Sequence, residues 1–280
     1  MYDFYFGTKD QIEKDPRTWL LTIKRMLPRW PNGIPDSEYL ALFDILQESE
    51  KDHFLNLARN SILVETGSGA STIVLLYFAL KWDTELYTWD ISGNKLAYIR
   101  GVLNDTLFRI FRGKNLFNHW KYIAYETKSK YVGIPILKEL GKKVCACFLD
   151  SEHTWENLKS ELAQLSPILI NGAIVAIDDG NYRYKHTNTA YVNMMRSKLG
   201  IKPIDDIESN LCRPFWIEVE NFLNKKFKNI ENLNGGSYRK NYKKDLFWAY
   251  YKADRKSMAD LGMEKTEDLD HRFDAWRVRR

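Results

Sequence analysis

Apolar positions fall into two textures along the chain. Over residues 1–59 they recur at helical spacing: Trp19, Leu20, Ile23, Met26 and Leu27 make one stripe, and Tyr39, Leu40, Leu42, Phe43, Ile45 and Leu46 a second. Asp15-Pro16 reads as an N-cap followed by a proline at the first helical position. The run LPRWPNGIPDS, with three prolines and one glycine, ends that helix and starts the next near Asp36. A helical cap over residues 1–59 is expected.

From Ser61 the pattern changes to short apolar runs separated by helical stretches. Ser61–Val64, Leu86–Trp89, Tyr122–Tyr125, Val144–Leu149 and Ala173–Ile177 read as strands, with helices over Thr72–Leu80, Asn94–Phe111 and Trp155–Leu165. Near-continuous apolar strands alternating with helices predict an α/β fold, a mostly parallel sheet with helices on both faces. Phe215–Val219 and Leu246–Tyr251 are expected to add two strands, and the polar, basic segment between them a helix end and a surface loop. The main domain is thus expected over 60–254, and residues 255–280 as a charged tail with a helical reading.

In an open parallel sheet, ligands bind beyond the carboxyl ends of the strands. Four of the five strands run into an acid there, Glu65, Asp90, Glu126 and Asp150, and the fifth into the pair Asp178-Asp179. Each alone reads equally as a capping or solvated acid; the shared register sets them apart. The first strand continues as VETGSGASTIVLL, where Gly67 and Gly69 let the backbone turn sharply and approach a ligand, ahead of a helix N-terminus. Asp90 follows Gly69 by 21 residues and ends the next strand, where a carboxylate can accept hydrogen bonds from ribose hydroxyls. An adenosine-type cofactor is implied.

Departures from the dinucleotide fingerprint narrow the choice. Position 72, where that fingerprint has its third glycine, is Thr72, and no P-loop motif occurs. Glu65-x-Gly67-x-Gly69, with Ser71 at the third small position, instead resembles motif I of the class I S-adenosylmethionine-dependent methyltransferases. FLDSEHTWENLKSEL followed by GAIVAIDDGNY is similar to the metal-dependent small-molecule O-methyltransferases, in particular the macrolide-sugar O-methyltransferase and cephalosporin-hydroxylase-like branch. The resemblance spans roughly residues 60–180 and implies a Rossmann-like methyltransferase fold.

It also implies roles. The loop Glu65, Gly67, Ser68, Gly69 and Ser71 would wrap the methionine part of S-adenosylmethionine, Asp90 would hold the ribose, and Glu126 or Thr127 would face the adenine. Asp150, Asp178 and Asp179 would bind a divalent cation, and His153 would serve as base, with Asn181 in support. The chemistry wants these types: carboxylates are hard oxygen ligands suited to Mg²⁺. A bound cation can orient an acceptor hydroxyl and ease its deprotonation, and imidazole, with a pKa of about 6.5, can take the proton. The plainer readings stay open here: His153 as a cap of the helix starting at Thr154, and Asp178-Asp179 as an acidic loop. His53, His119, His186 and His271 have no partner pattern.

Composition changes the picture in three places. The chain has 280 residues, 44% hydrophobic and 28% charged, with a net charge of +5, which excludes wholesale disorder and does not demand a nucleic-acid partner. Cys145, Cys147 and Cys212 cannot all pair, and the first two read as buried strand thiols. The N-terminus lacks a secretory layout, and the longest apolar run, Ile73–Leu80, is far short of the roughly 20 residues that span a bilayer, so a cytoplasmic protein is expected.

Two features keep alternatives open. Between Lys95 and Lys143 eleven Lys or Arg stand against three acids, with interleaved aromatics, as a glycan- or nucleic-acid-binding surface would have; neither an Asn-Pro-Pro-Tyr nor a Pro-Cys motif supports base methylation. Much of the 14% aromatic share lies before residue 60 (Trp19, Trp30, Tyr39, Phe43) and after 180 (Tyr182, Tyr184, Phe215, Trp216, Trp248), where core packing explains most of it and the walls of a sugar or ring-bearing acceptor site are the second reading. A small molecule or sugar is the expected acceptor. A methyltransferase on a polyanion, a non-catalytic nucleotide binder of the same fold and a homo-oligomer remain as alternatives.

Overall fold

The structure is a computed structural model, and it describes residues 8–28, 30–50, 60–107, 111, 113–124, 127–152, 154–178, 193–194, 196–198, 200, 202–203, 215–233 and 273–280. Among the described residues three helices come first, α1 (Lys9–Lys14), α2 (Pro16–Met26) and α3 (Asp36–Ser49). The Asp15 side chain accepts from the Thr18 amide with Pro16 in the first turn, as expected of that pair. There follow β1 (Ile62–Thr66), α4 (Ala70–Trp82), β2 (Glu85–Trp89), α5 (Gly93–Asp105), α6 (Leu116–His119), β3 (Trp120–Ile123), α7 (Pro135–Glu139), β4 (Val144–Leu149), α8 (Trp155–Leu165) and β5 (Leu169–Ile177). The described residues end with α9 (Phe215–Lys226), β6 (Asn229–Asn232) and β7 (Asp274–Arg279).

The strands form one sheet of order β3-β2-β1-β4-β5-β7-β6. The first five run parallel, and β7 lies antiparallel between β5 and β6. This is a Rossmann-like fold, a mostly parallel sheet with helices on both faces, as the resemblance implies. Side chains alternate between two cores. Leu63, Leu86, Phe148 and Ile174 pack toward α2, α3 and α4, while Val64, Trp89, Leu149 and Val175 pack toward α8 and α9. Helix α4 is buried all round because the sheet takes one side and α3 the other, which is why its sequence is apolar without a polar face. Phe43 of α3 meets Phe78 of α4 with ring centroids 5.3 Å apart.

Trp19, Tyr39 and Phe43 therefore belong to the core and wall no acceptor. Among the described aromatics before residue 60, Trp30 alone is half exposed. The cap is fastened by a buried ion cluster in which Lys24 Nζ and Arg25 Nε each lie 2.8 Å from Asp36. Burial opposes the charge on Asp36, but the two cations outweigh it and hold the carboxyl below its ordinary value. Asp36→Ala leaves Lys24 charged and buried, so a loss of about 3 kcal/mol is expected, read from the urea midpoint.

The C-terminal third corrects three expectations. Phe215–Val219 begins α9 instead of forming a strand. The cluster Phe215-Trp216-Ile217 has strand composition, but burial follows Val219, Leu223 and Phe227 while Asn221 and Lys225 between them are exposed, a period of four where a strand would repeat every two. Asn229–Asn232, expected in a surface loop, is β6, and Asp274–Arg279, expected in a charged tail, is β7. Strand β7 buries Trp276 and Val278 on one face, and Arg277 and Arg279 reach Glu231 of β6. Its charges thus lie along a strand pair rather than on a helix. Leu246–Tyr251 and Cys212 lie outside the described residues; Cys145 and Cys147 are buried free thiols of β4, as expected.

Candidate functional site

The sheet ends flush on its carboxyl side. Thr66 pairs with Trp89 on one flank and Leu149 on the other, and Leu149 pairs with Ile177. The ladder continues one step beyond: the Gly67 amide donates to Trp89 O (2.8 Å), Asp150 to Thr66 O (2.8 Å), Asp178 to Leu149 O (3.1 Å) and Asp90 to Ile123 O (3.0 Å). Asp90, Gly67, Asp150 and Asp178 therefore form one row across β2, β1, β4 and β5. With neighbouring strands about 4.8 Å apart, the two acids beyond β4 and β5 are adjacent, and Asp90 lies across the glycine turn, roughly 10 Å from Asp150.

The turn itself is forced by close approach. Gly67 has φ +79°, and a Cβ there would sit 1.8 Å from Asp150 O. Gly69 opens α4, and a Cβ on it would lie 3.0 Å from Pro31 O, which accepts the Ala70 amide at 2.8 Å. The cap thus reaches the glycine loop through its Trp30–Gly33 turn, where Trp30 leans on Tyr98 with centroids 5.2 Å apart.

Asp90 is buried and heavily engaged. Its Oδ2 accepts from the Ser68 amide (2.7 Å), Ser68 Oγ (2.6 Å) and Lys95 Nζ (3.2 Å), whereas among the described residues Oδ1 accepts only from the Ser92 amide (2.7 Å). Lys95 also donates to Ser68 O at 3.0 Å, and Tyr122 donates its hydroxyl to Ser92 O at 2.7 Å. Burial and the Asp90 charge push the Tyr122 phenol well above its usual range, so it stays a neutral donor. Ser68, Lys95 and Tyr122 thus frame the expected ribose acid.

Glu65 is placed otherwise than expected. It lies inside β1, 0% exposed, and accepts from Ser71 (2.7 Å), Thr72 (2.8 Å) and Thr88 (2.9 Å). Burial pushes its carboxyl up to about 8 against those three hydrogen bonds. Glu65 and Ser71 tie the start of α4 to the sheet from within and present no free carboxylate to a ligand.

A second buried acid has no counterpart among the expected residues. Glu161 of α8 is 1% exposed and accepts from Ser151 (2.6 Å), Asn157 (3.1 Å), Thr127 (3.1 Å) and Thr66 (3.4 Å). Burial pushes it up to about 7, and the same hydrogen bonds work the other way. The sequence does carry a signal for it, since Glu161 occupies a core position in the stripe Leu158, Leu162, Leu165.

Asp150 and Asp178 are thus brought together beside the glycine turn. Among the described residues no three His, Cys, Asp or Glu side chains converge as a metal cluster. Asp179, His153, Glu126 and Asn181 lie outside those residues. The basic stretch is partly spent on internal contacts: Lys95 on Asp90, Lys114 on Asp83, Lys121 and Lys142 on Glu85, and Arg100 stacked on Phe117. No described helix is long and apolar enough to cross a membrane.

No family model and no curated protein matches the chain. Solved structures are similar to it in fold. The TDP-rhamnose 3'-O-methyltransferase CalS11 of calicheamicin biosynthesis is 15% identical, with 68% of this chain and 76% of that one covered and a TM-score of 0.41. YjhP from E. coli is 13% identical over 93% of this chain and 99% of its own, with a TM-score of 0.45. The MycE methyltransferase of mycinamycin biosynthesis, solved with Mg and SAH, is 13% identical over 64% of this chain and 39% of its own, with a TM-score of 0.34.

Proposed function

We propose that the protein is an S-adenosylmethionine-dependent O-methyltransferase that uses a divalent cation and acts on a hydroxyl of a small molecule or sugar. The observation that carries this reading is the row at the carboxyl edge, with a glycine turn at its centre, Asp90 on one side and Asp150 and Asp178 on the other. Such a row separates a nucleoside-recognising acid from a pair of hard oxygen donors by the width of two strands.

The chemistry of the residues supports assigning both groups to this edge. Among the described residues Asp90 Oδ1 accepts one hydrogen bond, which leaves acceptor capacity for a ribose hydroxyl, while Ser68 and Lys95 fix the carboxylate in place. Asp150 and Asp178, with Asp179, would hold Mg²⁺, whose preference is for carboxylate oxygens. When bound, S-adenosylmethionine supplies a sulfonium methyl group, and the cation supplies a Lewis-acid site for the acceptor oxygen. His153 would take the proton released by the acceptor hydroxyl. The internal ion pairs of the basic stretch favour a small acceptor over a polyanion.

Calorimetry with S-adenosylmethionine tests the cofactor site. Asp90→Ala removes the ribose acceptor and strands the Ser68 and Ser92 amides, so affinity is expected to fall at least about tenfold. Unchanged affinity in that variant would remove Asp90 from the site. A panel of hydroxylated acceptors with radiolabelled methyl donor tests turnover, which is expected to fall on chelation and return with Mg²⁺. Binding without turnover of any acceptor would favour the non-catalytic binder, and turnover indifferent to chelator would end the metal assignment.

A further inference from the structure

We propose that Glu161 is a positioning residue that sets, from beneath, three segments lining the cofactor site: the end of β1 and the turns after β3 and β4. The assignment rests on reading the carboxyl edge as that site. Each hydroxyl it gathers adjoins a candidate residue: Thr66 lies between Glu65 and Gly67, Ser151 follows Asp150, and Thr127 follows Glu126. The chain reaches these points along β1, after β4 and after β3, so one carboxylate ties segments that are otherwise far apart in sequence. Asn157, one turn earlier on α8, donates to both Glu161 and Ser151 Oγ (2.6 Å) and closes the network.

Stability alone does not account for an acid at this place. Its neighbours along the stripe are Leu158, Leu162 and Leu165, and its four donors are neutral hydroxyl and amide groups with no cation among them. A buried carboxylate so placed is costlier than leucine, and local rules broken at this cost mark functional positions. Its burial leaves the group poised between charge states near neutrality, and each hydroxyl can rotate to donate or accept as the proton comes and goes. The reach is short and specific: the acid touches no ligand and acts through the backbone segments that do.

Hydrogen exchange and cofactor calorimetry on Glu161→Ala and Glu161→Gln test this. In the alanine variant the amides of residues 66–70, 127–133 and 150–152 are expected to exchange faster together. Affinity for S-adenosylmethionine is expected to fall about tenfold, the cost of losing a network of hydrogen bonds to an acid. Glutamine keeps the shape and the bonding capacity and is expected to restore both to within about threefold. Fast exchange confined to α8, or an affinity that does not move in a folded alanine variant, overturns the proposal. So does a glutamine variant as damaged as alanine, because the role is then only one of packing. If the wild-type chain fails to bind S-adenosylmethionine, the functional reading falls, and the exchange pattern alone decides whether Glu161 ties the three segments.

Discussion

Gly67→Ala is expected to unfold the carboxyl edge of the sheet. The new methyl carbon would meet Asp150 O at 1.8 Å and Asp150 C at 2.8 Å, and both belong to backbone that cannot rotate away. The Gly67 amide is held by Trp89 O on one side, and Thr66 O is held by the Asp150 amide on the other, so the turn is pinned between β2 and β4. Relief requires one of these ladder bonds to break, and φ +79° adds a penalty of its own for any residue with a side chain. A loss of at least about 4 kcal/mol follows, in the range reserved for clashes and broken networks. Binding of S-adenosylmethionine is expected to vanish with it, since any displacement of β4 carries Asp150 along. Gly69→Ala is the control. Its φ of 178° is ordinary extended backbone, and its Cβ would crowd Pro31 O at 3.0 Å, which a shift of a few tenths of an ångström in the Trp30–Gly33 turn relieves. A cost of about 1 kcal/mol is expected there, with the fold kept. Urea titrations of both variants decide the matter, and a Gly67→Ala protein as stable as wild type would show that the edge is not built as described.

The difference between these glycines shows how much was legible beforehand. The alternation of apolar runs and helices, the glycine turn and the acids at the strand ends are written in the sequence, because each depends on residues within one short segment. A strand's last residue is not. Ending β1 at Val64 makes Glu65 the first residue past the sheet, facing ligand. The strand in fact runs to Thr66, and alternation then turns Glu65 inward to meet Thr72 and Thr88. Two residues of strand length thus place the Glu65 carboxylate among hydroxyls inside the sheet. Asp90 shows the opposite limit: its place is legible, but Lys95 and Ser68 converge on it from a helix and a loop that only the folded sheet brings together. Strand β7 escaped because its partner strands are β5 and β6, and a six-residue run of alternating Trp, Arg and Val has no local feature that says it will be placed between them.

The inward turn of Glu65 carries the second large effect, a loss of stability as pH rises. In the unfolded chain its carboxyl titrates near the ordinary 4.5; in the fold, burial raises it to about 8. Between those values the folded state holds a proton that the unfolded state has released, so folding takes up a proton and stability declines with each step in pH. The contribution is complete below about 4.5 and gone above about 8. At 1.36 kcal/mol per unit, the whole window amounts to on the order of 5 kcal/mol. Glu161, raised to about 7, adds a slope of the same sign over a shorter window. Asp36 works in the other direction, its lowered value costing stability only at acid pH below the carboxylate range. Urea midpoints at pH 5 and pH 8 are expected to differ strongly in the wild-type chain. In Glu65→Gln, which is neutral at both and can still bond the Ser71, Thr72 and Thr88 hydroxyls, the difference is expected to shrink to the part owed to Glu161. Equal midpoints in the wild-type chain would mean that the surrounding hydrogen bonds hold both Glu65 and Glu161 ionised throughout, and that burial at the root of the glycine loop is offset by hydrogen bonds alone.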